Sequence, residues 1–163
     1  MTGPGENTIS TAYPPRAAFG LLAGTPVLTR RGAVAAEALG PGDQLITRAG
    51  GFAGVKEAHA VILRAPAVRI AAGSLGHTRP GCDMILPAGQ HVLIRDWRAR
   101  ALFGRHEALA EASRLVDGEF IRDLGEQELG LIQLLLARPE VIYAGGLELG
   151  CPMPASAALQ TAA

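Results

Sequence analysis

The sequence predicts an all-β domain built from short strands. Three observations carry that prediction. Most apolar segments are roughly four to eight residues long, rich in Val, Ile and Leu, and bounded by Gly or Pro. The chain holds 21 Gly and 11 Pro, which punctuate it because Gly reaches positive φ without a clash and Pro fixes φ. Three blocks of the first half also return in the second, in the same order, which predicts two similar β units related by a pseudo-two-fold axis.

The elements follow from the residues. Pro26 to Thr29 reads as a strand, Arg30-Arg31-Gly32 as a turn, and Gly40-Pro41-Gly42-Asp43 as a loop before a second strand at Gln44 to Thr47. Gly50 to Gly54 is glycine-rich but lacks the strand-then-helix setting of a phosphate loop, so it reads as a hairpin loop. Val55 to Ile70 is the longest extended candidate. Pro66 inside it marks a bulge, a bend or an edge, since proline cannot donate to the ladder. Leu131 to Ala144 is its counterpart, with Pro139 in the same place. Arg98 to Val116 is the exception. Ala99, Leu102, Phe103, Leu109, Ala112 and Val116 partly fit a helical stripe, which predicts a short helix in the second half.

The repeat is read from three pairs of blocks. Gly24 to Arg30 returns as Gly89 to Arg95, Leu39 to Leu45 as Leu115 to Ile121, and Ile62 to Val68 as Leu135 to Val141.

Length and composition bound the rest. The chain of 163 residues fits one domain that buries roughly two thirds of its unfolded surface. Residues 1–18 are polar and aperiodic and read as a flexible N-terminal arm. Residues 152–163 read as a flexible tail, which leaves 19–151 as the domain. Fifteen basic and 15 acidic residues give zero formal net charge, which argues against a nucleic-acid or anionic-membrane partner. No apolar run reaches the roughly 18 residues of a membrane span. The N-terminus shows no apolar signal segment, so a cytoplasmic location is the default, with signal-less secretion left open. Cys82 and Cys151 make no disulfide framework.

Several blocks carry a resemblance: AGTPVLTRRG, LGPGDQLITRAGG, PAVRIAAGSLG, LPAGQHVLI, WRARALFGRHEALAEASRLVDG and LLLARPEVIYAGGLELG. Together, and in this order, they resemble the Hint (hedgehog/intein) superfamily, in the branch of bacterial Hint domains. The resemblance covers about Phe19 to Pro154. It implies a duplicated, pseudo-symmetric all-β disc. It also implies autoprocessing, as in protein splicing: a Cys or Ser at the first position attacks the preceding carbonyl, and a Thr or Ser with a His three residues later polarises that peptide. In inteins a terminal Asn then cyclises; in hedgehog-type domains an alcohol attacks the thioester.

Carried over residue by residue, the nucleophile position falls on Gly20, which has no side chain. The Thr-x-x-His block falls on Ala88-Gly89-Gln90-His91, which keeps His91 and loses the hydroxyl at Ala88. The chain's single Asn is Asn7, so no Asn stands at the end of the domain, and Gly150 precedes Cys151 there. The chain therefore reads as a degenerate, pseudoenzyme member that has lost self-cleavage and acts as a binding or structural module for a protein partner that the sequence does not name. The alternative is an active autoprocessing domain with an unrecognised nucleophile, Ser10 or Thr11.

Other candidates have plainer readings. His91 is either a retained carbonyl-polarising group or a core-edge histidine fixing a strand by a hydrogen bond. Cys82 and Cys151 lack a neighbour in sequence that would lower a thiol pKa. His77, Cys82, Asp83 and His91 have metal-ligand chemistry, but their spacing matches no compact zinc pattern. No metal or cofactor is expected. Asp43 and Glu119 each follow a turn glycine and read as turn hydrogen-bonders. Arg105, Glu107, Glu111 and Arg114 read as a solvated face, and Trp97 and Phe103 as core plugs. A Ser-His-Asp hydrolase arrangement cannot be named from the spacing.

Overall fold

In the computed structural model, residues 18–151 are described, apart from residue 77. The strands are β1 (Leu21–Leu22), β2 (Pro26–Thr29), β3 (Gly32–Ala35), β4 (Gln44–Ile46), β5 (Phe52–Ile70), β6 (Met84–Pro87), β7 (His91–Ile94), β8 (Ala108–Glu111), β9 (Ile121–Leu136), β10 (Glu140–Ala144) and β11 (Leu147–Cys151). Among the described residues one short helix, α1, spans Trp97–Phe103. The strand order is β1-β9-β5-β4-β2-β10-β11-β7-β8, with β3 on β2 and β6 on β5. The ladders are antiparallel.

The long ribbon β5–β9 organises the molecule. Its register runs from Val55↔Leu136 to Ile70↔Ile121. On β5, Val61, Leu63, Ala65 and Ala67 alternate inward and build one cluster with Ala18, Leu129 and Leu131. Val68 and Ile70 instead face the main core, with Val27, Leu45, Leu86 and Ile142. The register of the ribbon shifts between Ala67 and Val68. There Leu124 of β9 is the extra residue, and Gly125 follows it at φ 72°. Successive residues of β5 point to opposite faces, so it serves both clusters by its pleat alone. The extra residue of the bulge instead moves the inward set of β9, so Ile121 joins the main core while Leu129 and Leu131 line the smaller cluster. Pro66 stands one residue before that bulge, as its missing N–H predicts.

The counterpart strand differs from expectation. Leu131 to Ala144 is not continuous, because residues 137–139 separate β9 from β10. β9 pairs with β1 and β5, whereas β10 pairs with β11 and β2. Pro139 lies at the change of partners, where no ladder needs its N–H.

β2, the turn after it and β4 lie where the sequence places them, whereas β3 is a strand that the sequence reading does not name. Two hairpins end alike. β2–β3 runs into a 3₁₀ turn at Ala36–Ala38, and the Ala36 N–H donates to the Thr25 carbonyl at 2.9 Å. β7–β8 runs into a 3₁₀ turn at Ala112–Leu115, and the Ala112 N–H donates to the Gln90 carbonyl at 2.9 Å. The second hairpin carries α1 between its strands. The helix is shorter than the apolar stripe suggests: Leu109 belongs to β8, and Ala112 to the 3₁₀ turn. Gly104, left-handed at φ 67°, ends it, a common helix stop. The assignments of residues 1–17 as an arm and 152–163 as a tail lie outside the described residues. Ala18, the last residue assigned to the arm, is buried.

Candidate functional site

Strand β1 fixes the chain's entry into the fold. Leu21 pairs with Ile132 and Leu22 with Leu131, which brings Phe19 and Gly20 beside Gln133. The peptide joining Phe19 to Gly20 is held from both sides. Gln133 Nε2 donates to the Phe19 carbonyl at 3.0 Å. The Gly20 N–H donates to Gln90 Oε1 at 2.9 Å. Gln90 Nε2 in turn donates to the carbonyls of His91, at 3.0 Å, and Gly150, at 2.8 Å. The amide orientation of Gln90 is dictated, since its oxygen faces a donor and its nitrogen faces two acceptors. Both glutamines are buried, and burial without such partners would be costly.

Gly20 has φ 138°, a region open to glycine and strained for other residues. A Cβ there would lie 3.1 Å from both the Ile132 carbonyl oxygen and Leu131 Cβ. The backbone at position 20 is therefore shaped for glycine.

Ala88 and His91 flank the crossing from β6 to β7. Ala88 is buried, and its backbone bonds Pro66 O and Ser113 N at 2.8 and 3.0 Å. His91 opens β7 opposite Glu111. Its ring is exposed and has no hydrogen-bond partner among the described residues. The reading of His91 as fixing a strand through its side chain is thus corrected; Gln90, its neighbour, ties the strands. Gly150 packs beneath, and a Cβ there would sit 3.4 Å from His91 Cβ.

His91 lines an open groove of about 750 Å³. Phe19, Leu93, Leu109 and Val141 supply apolar surface, while Arg48, Glu107, Glu111 and Glu140 supply charge. Behind Arg48 stands Glu148, only 4% exposed. Its oxygens meet Arg48 at 3.2 Å, Arg79 at 3.5 Å and Arg95 at 3.0 Å. Arg48 also reaches Glu107 at 2.7 Å. This network braces β11 against the loops beside the groove.

The family profile described as Hint domain matches residues 19–154, which is most of the chain and contains the Phe19–Gly20 junction and His91. The chain belongs to the Hint domain family. Solved structures agree on the fold. A DnaB intein from Synechocystis sp. PCC 6803 is 12% identical, with a TM-score of 0.53 over 83% of this chain and 100% of that one. A bacterial intein-like domain from Clostridium thermocellum is 14% identical, with a TM-score of 0.53 over 81% and 97%. The gp41-1 intein is 15% identical, with a TM-score of 0.52 over 81% and 98%. No curated relative matches the chain in sequence.

Within this Hint domain the remaining candidates separate. Cys151 is buried at the end of β11, and burial, with the charge of Glu140 beside it, pushes its thiol up to about 12. It is protonated at neutral pH and is no ready nucleophile. Cys82 is exposed in the loop before β6 and does not line the groove. Asp83 accepts from the Ala72 N–H and meets Arg69, which in that order keep its carboxyl below the usual range. His77, Ser10, Thr11 and Asn7 lie outside the described residues. No cluster of three metal-ligating side chains occurs among the described residues.

Asp43 bonds the Gly40 N–H at 2.9 Å and Arg31 at 2.7 Å, as a turn carboxylate should. In the second half the turn carboxylate is Asp117 rather than Glu119. Asp117 Oδ1 accepts from the N–H groups of Glu119, Phe120 and Ile121 at 2.8–2.9 Å. The Gly-rich stretch divides: residues 47–51 turn, with Thr47 N–H on the Gly51 carbonyl at 3.0 Å, and Phe52 to Gly54 join β5. Trp97 does not plug the core; it is 68% exposed. Phe103 is half-buried against the core, beneath the Arg114 guanidinium at 5.0 Å. Arg105, Glu107, Glu111 and Arg114 are exposed, although Glu107 and Glu111 also border the groove. No helix among the described residues is long and apolar enough to cross a membrane.

The sequence reading missed Gln90, Gln133 and Glu148. Each had a signal. Gln133 and Glu148 are single polar residues inside apolar strands, Leu131 to Leu136 and Leu147 to Leu149. Such residues are buried only with partners.

Proposed function

We propose that this Hint domain does not cleave itself and serves as a binding or structural module. One observation carries the reading. The Phe19–Gly20 peptide, where the family resemblance puts the bond to be cut, has no nucleophilic side chain and is clamped by Gln90 and Gln133. Attack on an amide carbonyl needs a nucleophile at hand and a group activating the peptide. Gly20 removes the first. Ala88 removes the hydroxyl of the second, and the retained His91 faces open groove rather than a polar partner. The groove, apolar at Phe19, Leu93 and Leu109 and charged along its border, is the surface through which we propose a protein partner is held.

We also propose that the fold arose by internal duplication. The matching ends of β2–β3 and β7–β8, with Ala36 on Thr25 and Ala112 on Gln90, support it.

The test is the intact mass of the protein carrying an N-terminal tag, after incubation with and without a strong thiol or hydroxylamine. The expected result is one unchanged mass. A fragment would overturn the reading, and its terminal residue, Ser10 or Thr11 in the alternative case, would name the nucleophile.

A further inference from the structure

A second concave site lies apart from position 20 and His91. It is formed where α1 and its flanking loops fold together. Arg95 and Asp96 precede the helix. Trp97, Arg100 and Ala101 lie one turn apart on a single helix face. Arg105 and His106 follow the Gly104 stop. Together they line a pocket of about 540 Å³.

The charge balance here is unlike that of the whole chain. Three arginines and a histidine face one carboxylate, Asp96. That carboxylate is already engaged by Arg98, through its N–H at 3.1 Å and Nη1 at 2.5 Å. Arg100 Nη2 lies 3.0 Å from His106 Nδ1, and Arg105 has no acidic partner among the described residues. Arg95 shares Glu148 with Arg48 and Arg79, and Arg48 also meets Glu107, so three guanidiniums share two carboxylates and one positive charge is left over. Guanidinium groups recognise phosphate oxygens in their planar fork. Trp97 adds an aromatic surface, with Arg98 over its ring at 4.8 Å. An indole this exposed gains nothing from the core, and exposed Trp beside Arg is a mark of binding surfaces.

We propose that this pocket binds a small ligand that joins a planar ring to a phosphate, of the nucleoside phosphate class. Arg100 and Arg105 take the phosphate oxygens, and Trp97 meets the ring. Arginine alone would suit any phosphate; the tryptophan selects for the ring. The inference is independent of whether the chain cleaves itself.

Trp97 is the chain's single tryptophan, so its fluorescence reports on this pocket alone. The experiment titrates the full chain with ADP, with adenosine, with inorganic phosphate and with a short single-stranded oligonucleotide, correcting for absorbance, and repeats the ADP titration by calorimetry. The expected result is a saturable change with ADP, at concentrations well below those needed for adenosine or phosphate. Loss of a charge-assisted contact in Arg105→Ala or Arg100→Ala should weaken binding roughly ten-fold or more, with an unchanged melting curve. Arg64→Ala, on the distant ribbon, should bind as the parent does. No saturable response to ADP by either method overturns the proposal. So does a response to phosphate equal to that for ADP, or a response that Arg64→Ala alters as much as Arg105→Ala. A response confined to single-stranded oligonucleotide would replace the small ligand with a nucleic acid.

Discussion

The Gly20 N–H donates to Gln90 Oε1 at 2.9 Å, joining residues 70 positions apart. The bond ties the chain's entry to the turn that carries Ala88 and His91. It also bears on whether a lost nucleophile can be put back. Position 20 stands at φ 138°, with the Ile132 oxygen and Leu131 Cβ each 3.1 Å from a would-be Cβ. Gly20→Cys should therefore cost about 1–3 kcal/mol in backbone strain and should restore no cleavage. Urea unfolding measures the first and intact mass with thiol the second. A thiol-dependent fragment from this variant would show that glycine alone blocks the chemistry.

Gln90 satisfies three backbone groups at once. Gln90→Leu keeps bulk but leaves the Gly20 N–H and the Gly150 carbonyl without their partner. Each buried orphan costs roughly 1–3 kcal/mol, so a loss of about 3 kcal/mol is expected. The specific readout is hydrogen exchange at the Gly20 amide: slow in the parent and fast in the variant. Slow exchange in the variant would mean that β1, not Gln90, protects this amide.

The fold was legible because short strands and turn glycines are local signals. Pro66 announced its bulge for the same reason. The break at 137–139 was not legible, since a strand's change of partners depends on the neighbours that meet it. Gly20 and Ala88 could be placed by resemblance, but the clamp around them could not. Gln90 and Gln133 are remote in sequence and meet only because β1 pairs with β9. Zero net charge concealed the basic pocket for a related reason: composition sums over the surface, whereas α1 gathers Arg95, Arg100 and Arg105 locally. Trp97 was misread because a large apolar side chain is normally core.

Glu148 pairs with three guanidiniums from a position 4% exposed. Glu148→Gln removes the charge while preserving shape. Breaking a buried pair typically costs about 3–5 kcal/mol. The arginine side chains retain 16–33% of their surface and can hydrate in part, which argues for the lower end, about 3 kcal/mol. Screening by salt should not return the parent's stability, because the pair is buried. Urea unfolding at low and high salt measures both effects.

Cys151 couples stability to alkaline pH. Its thiol is raised from 9.0 to about 12, first by burial and then by Glu140. Below the lower value both folded and unfolded chains keep the proton, so no difference arises. Between the two values the unfolded chain releases the proton that the fold retains. The unfolded state then binds fewer protons, and stability falls as pH rises, by up to about 1.4 kcal/mol per unit. Cys151→Ala abolishes this contribution. It should be the less stable protein near neutrality, because it leaves a small cavity, and the gap to the parent should narrow as pH climbs through the alkaline range. Parallel urea melts of the two proteins test the sign, and a constant gap would show that the thiol ionises freely in the fold. Alkylation gives an independent check. Iodoacetamide should add one group to the native chain, at exposed Cys82, and a second only when denaturant opens β11.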